Sequence, residues 1–498
     1  MSNIRVNYTG LISFVGGLLA LVTGVIFSLI LTRILSPEEY GSWGLIFSVV
    51  GYFLMIQPIF SYWTTREIAR NMDSGKTAVL SNTVLSIISS GIFILISFFI
   101  TAPTGVNYDL FLFATLLIPV TFLTGILTAI NLGNKPHIIS YSTIFFGLSQ
   151  IPLALIFVYY LKMGILGVII TIILANIVSI FILFFYGREK IKNTFKKKYL
   201  QKWLKLSWIS LYPSIYNILG GSTILIFTIL SGSILGIAYW TASAILASTI
   251  APAGLMSRAV YPKLLENKDI SFFKDNISYL FYFGIFSTSL VIIFANPGLF
   301  ALNPSFVIAT PIVVLLAIEG FLVVLTNVFQ QSLTGIEKVD AIDNSTAKDY
   351  LKSNLFHVHT MRLIQTVVYV VILVIGLILL ISVNTSEIDL LMYWASVLLI
   401  TQIPLVIYLS LKVTKHFKFP FDIKRILVFL IASIVMSIST TLLLDRFLIY
   451  SENIYYFLPN LLIFIMFSVG MYLMLTYVAD SKIRQLFKLI VQEIIKKT

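Results

Sequence analysis

The chain has no cysteine, four histidines, and charged residues at only 11% of its length. Without cysteine there is no disulfide, no thiolate metal site and no cysteine nucleophile. So small a charged share, against about 25% in soluble domains, leaves too little polar surface to clothe a soluble fold. HExxH, a Walker phosphate loop, a nucleophile elbow and any paired-carboxylate motif are also missing, which argues against an enzyme. What is abundant is apolar: 58% of the 498 residues.

These residues fall into fourteen segments, 9–32, 40–62, 78–102, 108–130, 138–160, 163–186, 206–230, 233–256, 276–297, 305–330, 360–383, 389–411, 426–448 and 454–478. Each is roughly 20 to 27 residues, enough to cross a hydrocarbon core of ~30 Å as a helix. Most are apolar all round, unlike the striped helices of a soluble core. The first is too long for a signal-peptide core and lacks a small-residue cleavage site, so it reads as a retained helix.

A net charge of +13 suggests nucleic acid until its placement is considered. Every Lys and Arg but Arg33, Lys162 and Arg446 falls at the N-terminus, in alternate gaps or in the tail. That asymmetry is the positive-inside signature and predicts both termini in the cytoplasm. The basic surplus is then a topology signal and a contact for anionic lipid headgroups, with no nucleic-acid partner. The outer connections, such as 33–39, 103–107 and 298–304, are too short to form the platform of a membrane glycosyltransferase or polymerase. His137, His357, His359 and His416 lie at predicted inner edges; His357 and His359, two apart, read as a solvated loop pair.

Segments 1–6 and 7–12 form two sets of the same direction, which permits parallel repeats. Gly133 near Lys135 ends segment 4 and Gly335 near Lys338 ends segment 10; segment 2 has Trp43 and Pro58 where segment 8 has Trp240 and Pro252. The predicted fold is an all-α integral membrane protein with 14 transmembrane helices, N-in and C-in. It divides into a lobe at 1–186, a basic linker at 187–205, a second lobe at 206–411, a pair of helices within 412–478 and a tail at 479–498. In the linker, Ile191, Phe195, Leu200, Trp203 and Leu204 make the apolar side of a helix lying flat in the interface. The tail does the same with Ile483, Leu486, Phe487, Ile490, Val491 and Ile494.

The run Thr32-Arg33-Ile34-Leu35-Ser36-Pro37-Glu38-Glu39-Tyr40-Gly41 resembles the opening signature of Wzx-type polysaccharide flippases. This is the polysaccharide-transporter branch of the superfamily that holds the MATE exporters and MurJ. Arg66-Glu67-Ile68-Ala69-Arg70, the Gly-x-Lys end of segment 4 and Tyr261-Pro262-Lys263-Leu264 are similar to that family too. The stretch 331–360, with Asp340, Asp343 and Asp349, is longer than its pattern. The resemblance implies a non-enzymatic flippase working by alternating access in a prokaryotic cytoplasmic membrane. Its cargo would be a polyprenyl- or dolichyl-linked oligosaccharide, and its partners membrane lipids and glycan-assembly enzymes. A MATE-like exporter of small cations would call for several acidic cavity residues, whereas this chain has one.

That residue is Glu319, deep in segment 10. A charge at a helix centre costs ~2.5–3.5 kcal/mol, so one that is kept usually faces a watered path. It reads as a site for H+ or Na+ coupling, or as a protonated carboxyl bonded to a neighbouring helix. No other cofactor is implied. Segment 7 is the most polar, and Tyr212, Tyr216 and Asn217 are the candidate sugar contacts in it; small hydroxyls also serve close packing. Arg33, Arg66 and Arg258 are candidates for the (pyro)phosphate. Against that, Arg33 has Glu38 and Glu39 for partners, and the other two can snorkel to headgroups. Trp43, Tyr62, Trp63, Tyr239 and Trp240 read as interfacial anchors where they stand near segment ends.

Overall fold

In a computed structural model of the chain, described for residues 3–257, 270–335, 347–417 and 421–485, helices make up all the regular structure among the described residues. They are α1 (Asn3–Ile34), α2 (Pro37–Leu54), α3 (Pro58–Ala69), α4 (Gly75–Thr104), α5 (Tyr108–Ala114), α6 (Leu117–Asn134) and α7 (His137–Ala154). α8 (Gly164–Ile191), α9 (Lys197–Lys205), α10 (Ser207–Gly221), α11 (Thr223–Ser231) and α12 (Ile234–Ser248) follow. After these come α13 (Ile270–Ile293), α14 (Ala295–Leu302), α15 (Thr310–Gly335), α16 (Ala347–Lys352), α17 (Asn354–Ser382), α18 (Glu387–Phe417), α19 (Ile423–Phe447) and α20 (Ile454–Ala479).

Among the described residues, eleven spans are long and apolar enough to cross a membrane. Two bent pairs also qualify: α2 with α3 at 56°, and α13 with α14 at 63°. The chain is therefore a multi-pass membrane protein. The helix that opens segment 11 begins at Asn354, so His357 and His359 lie on α17 and are not the loop pair expected.

The chain divides into two compact units, Met1–Thr241 with Arg362–Val397, and Ala242–Met361 with Leu398–Thr498. In the first unit α1 packs on α7, α7 on α8, and α6 on α3, α4 and α8. The α4 helix shows the pattern that lipid demands. Val84, Ile87, Ile88, Leu95, Phe98 and Phe99 point out, while Ser81, Ser86, Ser89 and Ser97 are buried. Small hydroxyls inside let helices approach, and they bond back to their own helix's carbonyls, as Ser97 Oγ does to Phe93 O at 2.7 Å. Buried amides tie α6 to its neighbours: Asn131 Nδ2 donates to Leu183 O at 2.8 Å, and Asn82 Nδ2 to Phe122 O at 2.8 Å.

The linker helix α9 turns Trp203 wholly into this unit, among Phe60, Trp63, Ala78 and Ile126. Phe195 and Leu204 stay exposed. Lys202 Nζ lies 3.4 Å from the buried Glu67 carboxylate.

In the second unit α13 packs on α15 and α19, and α19 on α20. Tyr282 and Tyr472 pack together within that core, and the Tyr472 hydroxyl donates to Tyr282 O at 3.0 Å. Arg425 and Asp480 form a two-pronged pair, with Nε and Nη2 each donating at 2.7 Å, and Arg425 Nη1 reaches Ser278 Oγ at 3.0 Å. This pair clamps the start of α19 to the end of α20. Of the tail, 486–498, including Leu486, Phe487, Ile490, Val491 and Ile494, lies outside the described residues.

Burial pushes the Asp480 carboxyl up, but Arg425 and the N–H groups of Ile483 and Lys482 outweigh it and hold it below the ordinary value. A carboxyl depressed by folding adds stability above its unfolded pKa of about 3.9, lost as pH falls through the folded value. Asp480→Asn should cost about 3 kcal/mol at neutral pH, because it leaves Arg425 buried without its counter-charge. Thermal unfolding in detergent checks this: a loss of stability below about pH 4 in the parent chain should shrink in the variant.

Candidate functional site

The run that opens segment 2 is helix-start chemistry. Ser36 is the N-cap of α2: its Oγ accepts from Glu39 N at 3.1 Å, and Glu39 Oε2 accepts from Ser36 N at 3.0 Å. With Pro37 in the first turn this is a complete capping box. Glu39 is therefore committed to the cap; Arg33, half-buried, stands in the last turn of α1. Gly41 abuts the carbonyl of Ile234 at the start of α12, where any Cβ would collide with backbone.

Pro58 ends α2's hydrogen-bond ladder, because it has no N–H to give. The side chain of Gln57 turns out at the break, and Nε2 donates to Phe122 O at 2.9 Å. Gly125 makes the room, since a Cβ there would strike the Gln57 amide. Beyond the bend, α3 carries Tyr62 and Arg66, with the guanidinium 4.6 Å from the ring centroid. Arg33 and Arg66 thus stand at opposite ends of the bent pair, and the structure does not bring them together.

α10 packs on α3 and carries the three candidates of segment 7. Tyr216 is buried, Tyr212 half-buried and Asn217 exposed. A second interruption, at Ser222, separates α10 from α11. There the Gly221 carbonyl accepts from Tyr52 Oη at 2.7 Å, and Ser48 Oγ donates to the same Tyr52 oxygen at 2.9 Å. Tyr369 Oη reaches Thr223 Oγ1 at 3.3 Å and itself accepts from Trp394 Nε1 at 2.6 Å. Trp394 is stacked between Phe227 and Trp240, the latter 3.8 Å away between ring centroids at 7°.

Trp43, Trp63 and Trp240 are therefore interior residues and not interfacial anchors. Their place near segment ends looks the same whether the ring turns in or out.

Sequence reasoning missed Arg362. Its guanidinium lies 5.1 Å from the Tyr216 ring centroid. On α17 the residues Ile364, Val367, Val368, Val371, Ile375 and Ile378 are exposed, while Thr366, Tyr369, Leu373 and Leu377 are buried. Arg362 is in step with the buried set, four residues before Thr366. That spacing was the signal; a segment start placed at 360 left Arg362 at the segment's very edge, where it was counted with the loop charges.

Glu319 belongs to the second unit, half-buried on α15. On the same helix Thr326 Oγ1 accepts from Gln402 Nε2 at 2.7 Å. Gln330 Nε2 lies 3.0 Å from His359 Nδ1. Arg258, Asp340, Asp343 and Tyr261 to Leu264 lie outside the described residues. Among the described residues no cluster of three or more His, Asp or Glu is placed to hold a metal.

Residues 8–213 match the family model described as polysaccharide biosynthesis protein. The fold of nearly the whole chain matches a solved structure of the lipid II flippase MurJ in an inward closed conformation. The TM-score is 0.65 at 16% identity, over 94% of this chain and 98% of that one. The resemblance to the polysaccharide-transporter family holds.

An inward-facing multidrug resistance MATE transporter of the MOP superfamily matches with TM-score 0.61 at 13% identity, over 80% of this chain and 95% of that one. The Vibrio cholerae MATE transporter VcmN in its bent form gives 0.55 at 12% identity, over 83% and 97%. No curated protein sequence matches the chain. Arg33, Arg66 and Tyr212 lie in the part matched by the family model, whereas Tyr216, Asn217, Glu319 and Arg362 follow it.

The capping run and its glycine give a clean test. Gly41→Ala should lower stability by about 2–4 kcal/mol, since a backbone carbonyl must move to admit the methyl. Gly24→Ala, in open space inside α1, should leave it unchanged or raise it by up to about 1 kcal/mol. Thermal melts of the two variants in one detergent decide it; equal melts would show that the α2–α12 contact has slack.

Proposed function

We propose that this chain is a flippase for a polyprenyl- or dolichyl-(pyro)phosphate-linked oligosaccharide, working by alternating access of its two six-segment lobes in a prokaryotic cytoplasmic membrane. The observation that carries the reading is the polar face of α10, where Tyr216 lies under the guanidinium of Arg362 and Asn217 stands exposed. Arginine offers a planar fork of donors suited to phosphate, and tyrosine and asparagine suit sugar hydroxyls and ring faces. Keeping a guanidinium on the inward side of an apolar helix is costly unless it serves such a polar ligand or path. Fold likeness to a lipid II flippase supports a lipid-linked cargo.

In this reading Tyr212, Tyr216 and Asn217 meet the glycan, while Arg66 and Arg362 meet the phosphate at the cytoplasmic side. Arg33, in the last turn of α1, and Arg258 belong to the same cycle. Glu319 couples transport to H+ or Na+. The N- and C-termini lie in the cytoplasm, which the placement of the basic residues supports. Eleven straight spans, two bent pairs and α1, apolar over Leu19–Ile34, together support fourteen crossings.

Reconstitution with a fluorescent polyprenyl-pyrophosphate oligosaccharide tests the proposal. Its arrival in the opposite leaflet should be at least tenfold faster than in empty liposomes, with ion gradients supplied. Arg362→Gln should lower the rate by about tenfold or more, the worth of one charge-assisted contact, and Arg362→Lys should restore part of it. No acceleration by the correctly oriented parent chain overturns the reading. Acceleration of a small organic cation in place of the lipid would favour the multidrug type of export.

A further inference from the structure

Glu319 does not stand alone on α15. Thr326 and Gln330 follow it by seven and eleven residues, which at 3.6 residues per turn puts all three within about 40° of one helix face. The stripe runs about 17 Å. Gln402 on α18 bonds to Thr326, and His359 on α17 bonds to Gln330, so each lower step is built from two helices of the same unit. Gln330 and Gln402 are buried, although most of α15 around them is aliphatic. Burying amides and hydroxyls in register with a carboxylate is costly, and close packing alone needs small residues, not glutamines.

We infer that His359 is the proton-exchange residue of Glu319, the two forming the ends of one proton-binding site. An imidazole gains and loses a proton near neutral pH. With the Gln330 amide as donor, Nδ1 accepts and the neutral ring keeps its proton on Nε2. Protonation makes Nδ1 a donor, so the amide must turn its oxygen to it. When the imidazolium releases a proton to water along the stripe, one N–H bond breaks. The Glu319 carboxylate takes a proton from the far end of that water, one O–H bond forms, and total charge is conserved. Amides and hydroxyls hold and orient this water and do not ionise themselves. An imidazole bonded into the stripe exchanges protons near neutral pH and is a poor ligand for Na+, so the coupling ion is H+.

On the described elements around α15 the other titratable or charged groups with described side chains are Tyr279 and Tyr282 on α13, Asp349 and Lys352 on α16, and His357, Arg362 and Tyr369 on α17. Glu387, Asp389, Tyr393, Tyr408, Lys412, Lys415 and His416 on α18 complete them. His359 is bonded to the stripe itself. The inference rests on the flippase reading for what the proton drives, but not for whether it binds.

The test uses the full chain in liposomes, labelled with 15N-histidine; four histidines make the spectrum tractable, and His359→Gln assigns the peak. Glu319→Gln removes a negative charge and should lower the His359 midpoint by roughly 0.7 of a unit, the coupling of two charges ~17 Å apart at an effective dielectric of ~20. After a pH jump, the infrared carbonyl band of Glu319, identified by its loss in Glu319→Gln, should rise at least tenfold more slowly in His359→Gln. Gln330→Leu should show the same delay, which guards against misfolding of one variant. An unmoved His359 midpoint, or a Glu319 band that rises as fast without His359, overturns the inference. Failure of the labelled lipid to cross in the parent chain would overturn the flippase reading and leave these titrations standing.

Discussion

In hydrocarbon every backbone N–H and C=O needs a partner inside the protein, because each unsatisfied group costs several kcal/mol. Straight helices meet that demand by themselves; interrupted ones do not. The interesting chemistry of this chain therefore collects where its helices break. At Pro58 the break in the second segment is lined by Gln57 and Asn82, which both donate to the one carbonyl of Phe122. At Ser222 the carbonyl of Gly221 is met by the hydroxyl of Tyr52. The first break is held by its own Gln57 reaching another helix and the second by a side chain from another helix, so bend and packing are one feature.

That dependence explains why two glycines matter, Gly41 of the opening run and Gly125 of α6. Gly41 lets a backbone carbonyl from α12 touch α2, and Gly125 admits the Gln57 amide to α6. Neither has a positive φ, so close approach and not backbone freedom is their purpose. The capping box at Ser36 and Glu39 adds the same kind of order at the start of α2. A sequence signature of ten residues thus reduces to three local demands: start a helix without orphaned amides, turn tightly, and leave room for a neighbour.

The apolar segments were legible because their length is set by the bilayer and their composition by its solvent properties. Pro58 was in view only as the counterpart of Pro252, and the bend it makes inside segment 2 was not expected. Less legible was anything that depends on which way a side chain turns. Trp43, Trp63 and Trp240 stand where anchors stand, yet all three are buried. Trp203 and Leu204 are neighbours in one amphipathic run, yet one is inside the protein and the other exposed. His359 looked like a loop residue because its helix was started six residues late, and Arg362 suffered from the same boundary. Glu319 was found because a lone acid in an apolar run is conspicuous without coordinates. Its companions Thr326, Gln330 and Gln402 are uncharged, and only their shared face distinguishes them.

Charge placement on α15 and α17 then acquires a common logic. Both helices turn a broad apolar face to neighbours or lipid and keep a narrow polar line: Glu319, Thr326 and Gln330 on one, Arg362, Thr366 and Tyr369 on the other. A line of this width offers water or a ligand a path without exposing the ladder of backbone bonds beside it. The two lines differ in chemistry. A carboxylate linked to an imidazole exchanges protons, while a guanidinium beside tyrosine binds anions and sugars. His359 nevertheless stands on α17 about one turn before Arg362, so the titrating and the recognising groups are neighbours along one helix. A charge so placed would have its proton affinity changed by a bound phosphate.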